Sequence, residues 1–319
     1  MRAYWIRPER NKRFVQDYLD DNTFARNTAV AADCGLDLRV ISVDDILVSM
    51  VESATIVQVG GETVVPTEVF FHVKLMTFPS YESETWRTIS TAELLRSAGF
   101  HVTTPLELNV LAGDKLLTLV QLQRRVLDHL GSQLVRCLPT VRVSTRQFYS
   151  LPQGALPFPL PVIVKPSSWS GGNAVAVVRT VGALDAQLQI AGAAALTMIV
   201  QPWLGQGTSD VRVYCVDGTV QSAWERRPAP SAVVANYGMG GSYAQIHLPV
   251  DVADAAHAVA QFIGAPYLCI DFLLKDGRYW LSEIEPDGGA VGYLPDLEIA
   301  RFSALRSGYD RFVSGSEIR

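Results

Sequence analysis

The sequence predicts an α/β half joined to an α+β half. Three observations carry that reading. Strand-like and helix-like stretches alternate over residues 1–108, the pattern of an open α/β sheet. A proline-rich stretch, LPQGALPFPLP at 151–161, interrupts the chain near its middle. Beyond it, strand-like runs meet at Asp217-Gly218 and Asp276-Gly277, dipeptides suited to tight antiparallel turns.

The elements follow in order. RAYWIRP (2–8) reads as a strand, and DNTFARNTAVAADCGL (21–36) as a helix with Asp21 or Asn22 at its start and Gly35 near its end. DLRVISV (37–43) is a second strand. ATIVQVGGETVV (54–65) is a hairpin turning at Gly60-Gly61, and TEVFFHVKL (67–75) a further strand. ISTAELLRSAGF (89–100) and HVTTP (101–105) read as helix and strand. GDKLLTLVQLQRRVLDHL (113–130) carries apolar residues at helical spacing. VIVKPSSWSGGNAVAVV (162–178) is strand, small-residue loop, strand. VGALDAQLQIAGAA (181–194) is a helix and LTMIVQPWL (196–204) a strand. The helix VADAAHAVAQFIGA (252–265) separates the two later hairpins.

Composition bounds the function. Of 319 residues 48% are hydrophobic and 18% charged, an ordinary globular balance, and the net charge of −5 leaves no basic footprint for nucleic acid. The cysteines Cys34, Cys137, Cys215 and Cys269 lie far apart with no CxxC pair, so reduced core thiols are expected. MRAYWIRPERNKR lacks the apolar core of a signal peptide, and the longest apolar run, AGAAALTMIV, is about half of what a membrane span needs. A soluble cytoplasmic protein with no membrane partner is the expectation.

Three stretches carry chemistry. Lys165 ends an apolar strand and is followed by SSWSGGN, a loop whose backbone N–H groups can approach phosphate because few bulky side chains intervene. Such a Lys-Pro segment is otherwise a plain turn, and neither GxxxxGK[ST] nor GxGxxG is present. In DVRVYCVDGTVQSAWERR (210–227), Asp210 and Arg212 share one strand face, and Arg226 and Arg227 close the hairpin. Arginine suits bidentate phosphate or carboxylate contacts, though solvated edge residues would read the same. In YLCIDFLL and LSEIEPDGG, Asp271, Glu283 and Glu285 sit among apolar neighbours. A two-residue turn would pair Asp271 with Ser282; one extra residue in the turn, with Gly277 left-handed, makes Asp271 oppose Glu283. Three converging carboxylates repel unless a cation joins them, and oxygen-only donors suit Mg²⁺ or Mn²⁺. A cap or salt bridge remains open for one of them.

Taken together, the order and spacing of these stretches resemble the ATP-grasp superfamily, and within it the RimK-like carboxylate–amine ligases. The resemblance covers about residues 105–290. It implies a turn at Asn109 before a helix bearing Lys115, and a second nucleotide lysine at Lys165. A phosphate loop falls at Ser170, Gly171 and Gly172, and an adenine hinge around Gln201 and Leu204 in IVQPWL. Arg212 falls near phosphate, Arg226 near phosphate or an acyl intermediate. ANYGMGG supplies Asn236, Gly240 and Gly241, and the metal pair falls on Asp271 and Glu283. Two positions depart from the pattern: Glu285 stands where the family has Asn, and Val234 where it has Arg, with Arg227 as an added cation and Asp287 as a further acceptor.

What the resemblance implies is an ATP-grasp fold: an N-terminal α/β domain (1–108), a central lid-bearing subdomain (109–203) and a C-terminal antiparallel subdomain (204–319). It implies ATP and Mg²⁺, or Mn²⁺, as cofactors. The expected reaction joins a carboxylate to an amine through an acyl phosphate, giving ADP and phosphate, on an amino acid, peptide or small natural product. A non-catalytic nucleotide-binding protein and a phosphotransferase stay open as alternatives. So does a homo-oligomer.

Overall fold

The computed structural model describes residues 1–7, 23–73, 82–144, 156–169, 171–229, 241–290 and 294–315. Strand β1 (Arg2–Arg7) is buried along almost its whole length, as a strand flanked on both sides must be. It lies between β2 (Asp37–Ser42) and β6 (Val69–Val73), parallel to both. Helix α1 (Thr23–Asp33) makes the crossover and stops where Gly35 takes φ +75°. Its expected first residues, Asp21 and Asn22, lie outside the described residues. HVTTP contributes a single bridge, Phe71 to Val102, beside β6.

Strands β3 (Ile46–Val51), β4 (Ala54–Val59) and β5 (Glu62–Val64) form a separate antiparallel sheet. The expected turn at Gly60-Gly61 joins β4 to β5, both glycines at positive φ. Strand β3 was not expected. Helix α2 (Glu82–Ser97) covers the parallel sheet through Ala92 and Leu95.

Helices α3 (Leu106–Gly113) and α4 (Lys115–Leu122) meet at Asp114, whose extended backbone breaks the helix and whose carboxylate accepts from Leu117 N at 3.0 Å. Asn109 therefore sits inside α3 rather than in a turn. The helical run continues as a π-turn over Gln123–Leu127. Strand β8 (Val141–Ser144) joins β9 (Val162–Pro166), β10 (Ala176–Val178) and β11 (Thr197–Pro202) in a four-stranded sheet of order β10-β9-β11-β8. Helix α5 (Val181–Ala193) buries Leu184, Leu188 and Ala191 against it.

The second large sheet has the order β14-β13-β12-β15-β16-β7, with β7 (Val135–Cys137), β12 (Ser209–Val216), β13 (Thr219–Arg227), β14 (Ser242–Ile246), β15 (Tyr267–Lys275) and β16 (Arg278–Glu285). Helix α6 (Val250–Ile263) and residues of α3 and α4 build one core with its apolar face. Both hairpins turn as expected, and all four turn residues have positive φ: Asp217 at 44°, Gly218 at 73°, Asp276 at 50° and Gly277 at 73°.

The register of β16 differs from expectation in its device and agrees in its result. The turn keeps two residues, Lys275 facing Arg278, and the extra residue is Ser282 within the strand. Phe272 faces Leu281 and Asp271 faces Glu283, so Ser282 is the bulge. The bulge shifts the alternation by one. Leu281 and Ile284 both stay in the core, and Glu283 and Glu285 turn to the other face.

Helix α7 (Pro295–Val313) opens with Pro in its first turn and with Asp296 and Glu298, which suit a positive helix terminus. Phe302, Leu305 and Tyr309 pack on the parallel sheet at Trp5 and Phe70, and Leu297 and Ala304 pack at Tyr214 and Tyr267 of the large sheet. Between them Arg301, 4% exposed, binds Asp287 and reaches Glu298 Oε2 at 3.3 Å. Its guanidinium stands over the rings of Trp5 and Tyr267. His72 joins the group, with Nε2 3.3 Å from Asp287 Oδ1. Arg301→Ala would strand two buried carboxylates. The expected loss is about 3–5 kcal/mol of stability, read as a lower urea midpoint.

Candidate functional site

Strands β12, β15 and β16 bring the charged residues to one sheet face. Arg212 faces Asp271 across the β12–β15 ladder, and Asp271 faces Glu283 across the β15–β16 ladder. Arg226 faces Asp210 across the hairpin. Arg212 grips Asp271 with both ends of its fork, Nε to Oδ1 at 2.8 Å and Nη2 to Oδ2 at 2.6 Å. Its Nη2 also lies 3.0 Å from Glu285, and its Nη1 donates to Gly289 O at 2.9 Å. Arg226 binds Asp210 through Nε at 3.0 Å and approaches Asp271 at 3.2 Å.

Lys115 enters from the first turn of α4. Its Nζ lies 3.1 Å from Glu283 and donates to Trp169 O at 2.6 Å, which ties the helix to the small-residue loop. Lys165, on β9, lines the same space. In the loop, Gly171 and Gly172 take φ +75° and +74°, a left-handed pair that side-chain-bearing residues resist.

A cavity of about 570 Å³ opens between the four-stranded and six-stranded sheets. Lys165, Gly172, Gln201, Leu204, Asp210 and Glu283 line it, together with Arg179, Trp203 and Arg227. Gln201 is held from behind: its Nε2 donates to Thr140 Oγ1 at 2.9 Å, and that hydroxyl donates to Leu138 O at 2.8 Å. The Arg179 guanidinium stands 4.7 Å over the Trp203 ring. Arg227 binds Glu225 at 2.8 Å.

The structure thus places Lys115, Lys165, Gly171, Gly172, Gln201, Leu204, Arg212, Arg226, Asp271, Glu283 and Glu285 around one cavity and its charged floor. Ser170, Asn236 and Gly240 lie outside the described residues. Sequence reasoning missed the Arg179–Trp203 stack, because nothing in a single strand and hinge foretells that the ends of β10 and β11, on either side of β9, bring the two side chains together. It also missed Arg301 and His72. The only sequence signal for them was Asp287 in a loop after an apolar strand.

Electrostatics sharpen the picture. Burial would raise the Asp271 carboxyl, but Arg212 and Arg226 outweigh it and hold it near 2. Burial likewise opposes ionisation of Glu283, and Lys115 and Lys165 reverse the sign, lowering it. Burial pushes Asp210 up to about 7, with Asp271 adding and Arg226 opposing. Burial lowers Lys165 to about 8.

The donor set fits a hard divalent cation. Asp271, Glu283 and Glu285 each offer a carboxylate oxygen, all within 4.8 Å of one another, with no nitrogen or sulfur ligand in the group.

The family model for the RimK-like ATP-grasp domain matches residues 120–299. The chain belongs to the RimK-like ATP-grasp family. A protein of Shewanella pealeana described as a probable alpha-L-glutamate ligase is 26% identical over 180 residues, 56% of this chain and 37% of that protein. The uncharacterized protein MG011 of Mycoplasma genitalium is 30% identical over 145 residues, 44% of this chain and 50% of that protein. The chain spans half or less of the length of these curated relatives. Among solved structures, the D-alanine–D-alanine ligase of Bacillus anthracis complexed with ATP superposes with a TM-score of 0.64 at 14% identity, over 99% of this chain and 98% of that one. The macrocyclase MdnC from Microcystis aeruginosa, bound with its precursor peptide MdnA, gives 0.61 at 13% identity, over 96% and 100%. The ligase PsnB complexed with minimal precursor, Mg and ADP gives 0.59 at 15% identity, over 99% and 97%. These three likenesses are of fold. The fold is that of the ATP-grasp family, and among the described residues no helix is long and apolar enough to cross a membrane.

The low value for Lys165 has a consequence for stability. Its folded-state pKa of about 8 lies below the unfolded value of 10.5, so the unfolded chain binds more protons between those two pH values. Stability from this residue therefore rises as pH climbs from about 8 towards 10. Lys165→Met should remove that rise, read from urea midpoints of both proteins across the window.

Proposed function

We propose that this protein is an ATP-dependent ligase that joins a carboxylate to an amine and releases ADP and phosphate. One observation carries the reading: two lysines and two arginines converge with three carboxylates on one side of a cavity large enough for a nucleotide. The relative described as a glutamate ligase and the ligases complexed with ATP, or with Mg and ADP, support it.

In this reading the nucleotide base lies against Gln201, Trp203 and Leu204, and the phosphates reach Lys165, Lys115, Arg212 and the loop at Ser170–Gly172. Asp271, Glu283 and Glu285 would hold the ion. Magnesium bound there would supply positive charge between phosphate oxygens. The substrate carboxylate attacks the γ-phosphorus, the bond to the β-phosphate oxygen breaks, and an acyl phosphate forms. The amine then attacks the acyl carbon and phosphate leaves. Arg226 would face the acyl group, and the family resemblance assigns the same part to Asn236. The protein's work is positioning and charge neutralisation, so it needs no covalent nucleophile. In the same reading residues 1–108 shape the acceptor side, 109–203 carry the lid with Lys115 and Lys165, and 204–319 carry Arg212 and the metal contacts. The substrates in this reading are amino acids, peptides or small natural products; the relative described as a glutamate ligase supports the first, and the neighbour bound with a precursor peptide supports the second.

Saturating ATP with Mg²⁺ should raise the thermal midpoint, because a ligand at one hundred times its Kd adds about 2.7 kcal/mol to the native state. An unchanged midpoint together with no heat of mixing would remove the nucleotide reading. ADP release, screened over amino acids, dipeptides and organic acids with mass detection of products, should need both a carboxylate and an amine. Release with a carboxylate alone would make the protein a phosphotransferase. With a productive pair, Glu283→Gln should lower turnover about 100-fold or more, the scale of losing several kcal/mol of charge stabilisation.

A further inference from the structure

The charged floor of the cavity is formally neutral. Lys115, Lys165, Arg212 and Arg226 stand against Asp210, Asp271, Glu283 and Glu285. Within that set Arg212 has most of its N–H donors engaged by the protein itself: Nε and Nη2 on Asp271, Nη2 on Glu285 at 3.0 Å, and Nη1 on Gly289 O. Glu285 is seated for this contact. It lies opposite Cys269 in the ladder, and its Oε2 rests over Gly288, where an added Cβ would stand 2.7 Å away. The absence of a side chain at Gly288 is what lets the carboxylate fold back towards Arg212.

Two groups of ligands would compete for these contacts. A phosphate oxygen needs the Arg212 and Lys115 donors that Glu285, Asp271 and Glu283 now accept. A divalent cation needs the carboxylate oxygens that Arg212 and Lys115 now bind. Either ligand alone would leave the opposite charges buried with their partners removed, which is the costly case for buried ions. Both together exchange the partners, so that each buried cation keeps an anion beside it and each carboxylate a cation. An Asn at position 285 would not hold Arg212 by charge, so it would weaken this exclusion while leaving the other ligands in place.

We infer that Glu285 makes the site selective for metal-complexed nucleotide over free nucleotide, by occupying Arg212 until a divalent cation draws its carboxylate away. The ligand class is a nucleoside diphosphate or triphosphate together with Mg²⁺ or Mn²⁺. The inference rests on the nucleotide reading above and adds to it a role for the one carboxylate that the family pattern lacks. Linkage makes the effect reciprocal: the factor by which the metal strengthens the nucleotide is the factor by which the nucleotide strengthens the metal.

Isothermal titration of ADP into the full chain tests this without turnover. Wild type, Glu285→Gln and Glu285→Asn are each titrated with saturating Mg²⁺ and with EDTA. Their unfolding midpoints are recorded first, so that a variant failing to fold leaves the other to decide. For wild type, Mg²⁺ should strengthen ADP about 100-fold, the upper range of ordinary coupling between two sites. In EDTA the folded variants should bind ADP about 10-fold more tightly than wild type, and their Mg²⁺ enhancement should shrink. A Mn²⁺ titration followed by electron paramagnetic resonance should show the same reduced coupling from the metal side. ADP affinity in EDTA that is equal in wild type and variants, with Mg²⁺ strengthening all of them alike, overturns the role of Glu285 and leaves the nucleotide site standing. No ADP binding by wild type even with Mg²⁺ overturns both.

Discussion

The buried pair between Arg212 and Asp271 is the contact on which the rest of the site depends. A guanidinium and a carboxylate are both almost wholly removed from water, a cost that only good geometry and extra partners can offset. The geometry comes from adjacent central strands, which set the two residues directly opposite each other. The extra partners are Arg226 and Glu285 at the sides and the Gly289 carbonyl beyond. Because Arg212 holds that carbonyl, the loop after β16 is fixed by the same contact that fixes the carboxylates. The charged floor is thus one connected set of contacts.

Much of this was legible in the sequence, for identifiable reasons. Turn chemistry is local, so Gly60-Gly61, Asp217-Gly218 and Asp276-Gly277 marked hairpins that the structure has. Charges set in apolar strands announce themselves, and Asp271, Glu283 and Glu285 do meet. The bulge was a different matter. The need for an extra residue was readable from the pairing of Asp271 with Glu283, but its place was not. Ser282 carries it because Leu281 and Ile284 must both reach the core, a demand made by packing and invisible in the turn.

What stayed hidden depends on contacts between distant segments. Strand β3 and helix α7 were not foreseen. The apolar residues of α7 serve two sheets, so they mark no single face. Its buried arginine meets Asp287 and His72, which lie 14 and 229 residues away. Asn109 looked like a turn residue, yet its amide donates to Thr104 O within a helix, and the true break falls at Asp114. Local propensity at each of these positions was overruled by partners that one sequence does not name.

Helix α7 also bears on how the chain comes to be folded. The parallel sheet buries Trp5 and Phe70, with Val30 of α1, against Phe302, Leu305 and Tyr309, which are far away in sequence. Until α7 docks, that sheet keeps one apolar face uncovered. Contacts spanning so much sequence are slow to close and leave sticky surface exposed meanwhile. The core around β1, β2 and β6 is therefore complete only once α7 has docked, and that helix acts as the clasp.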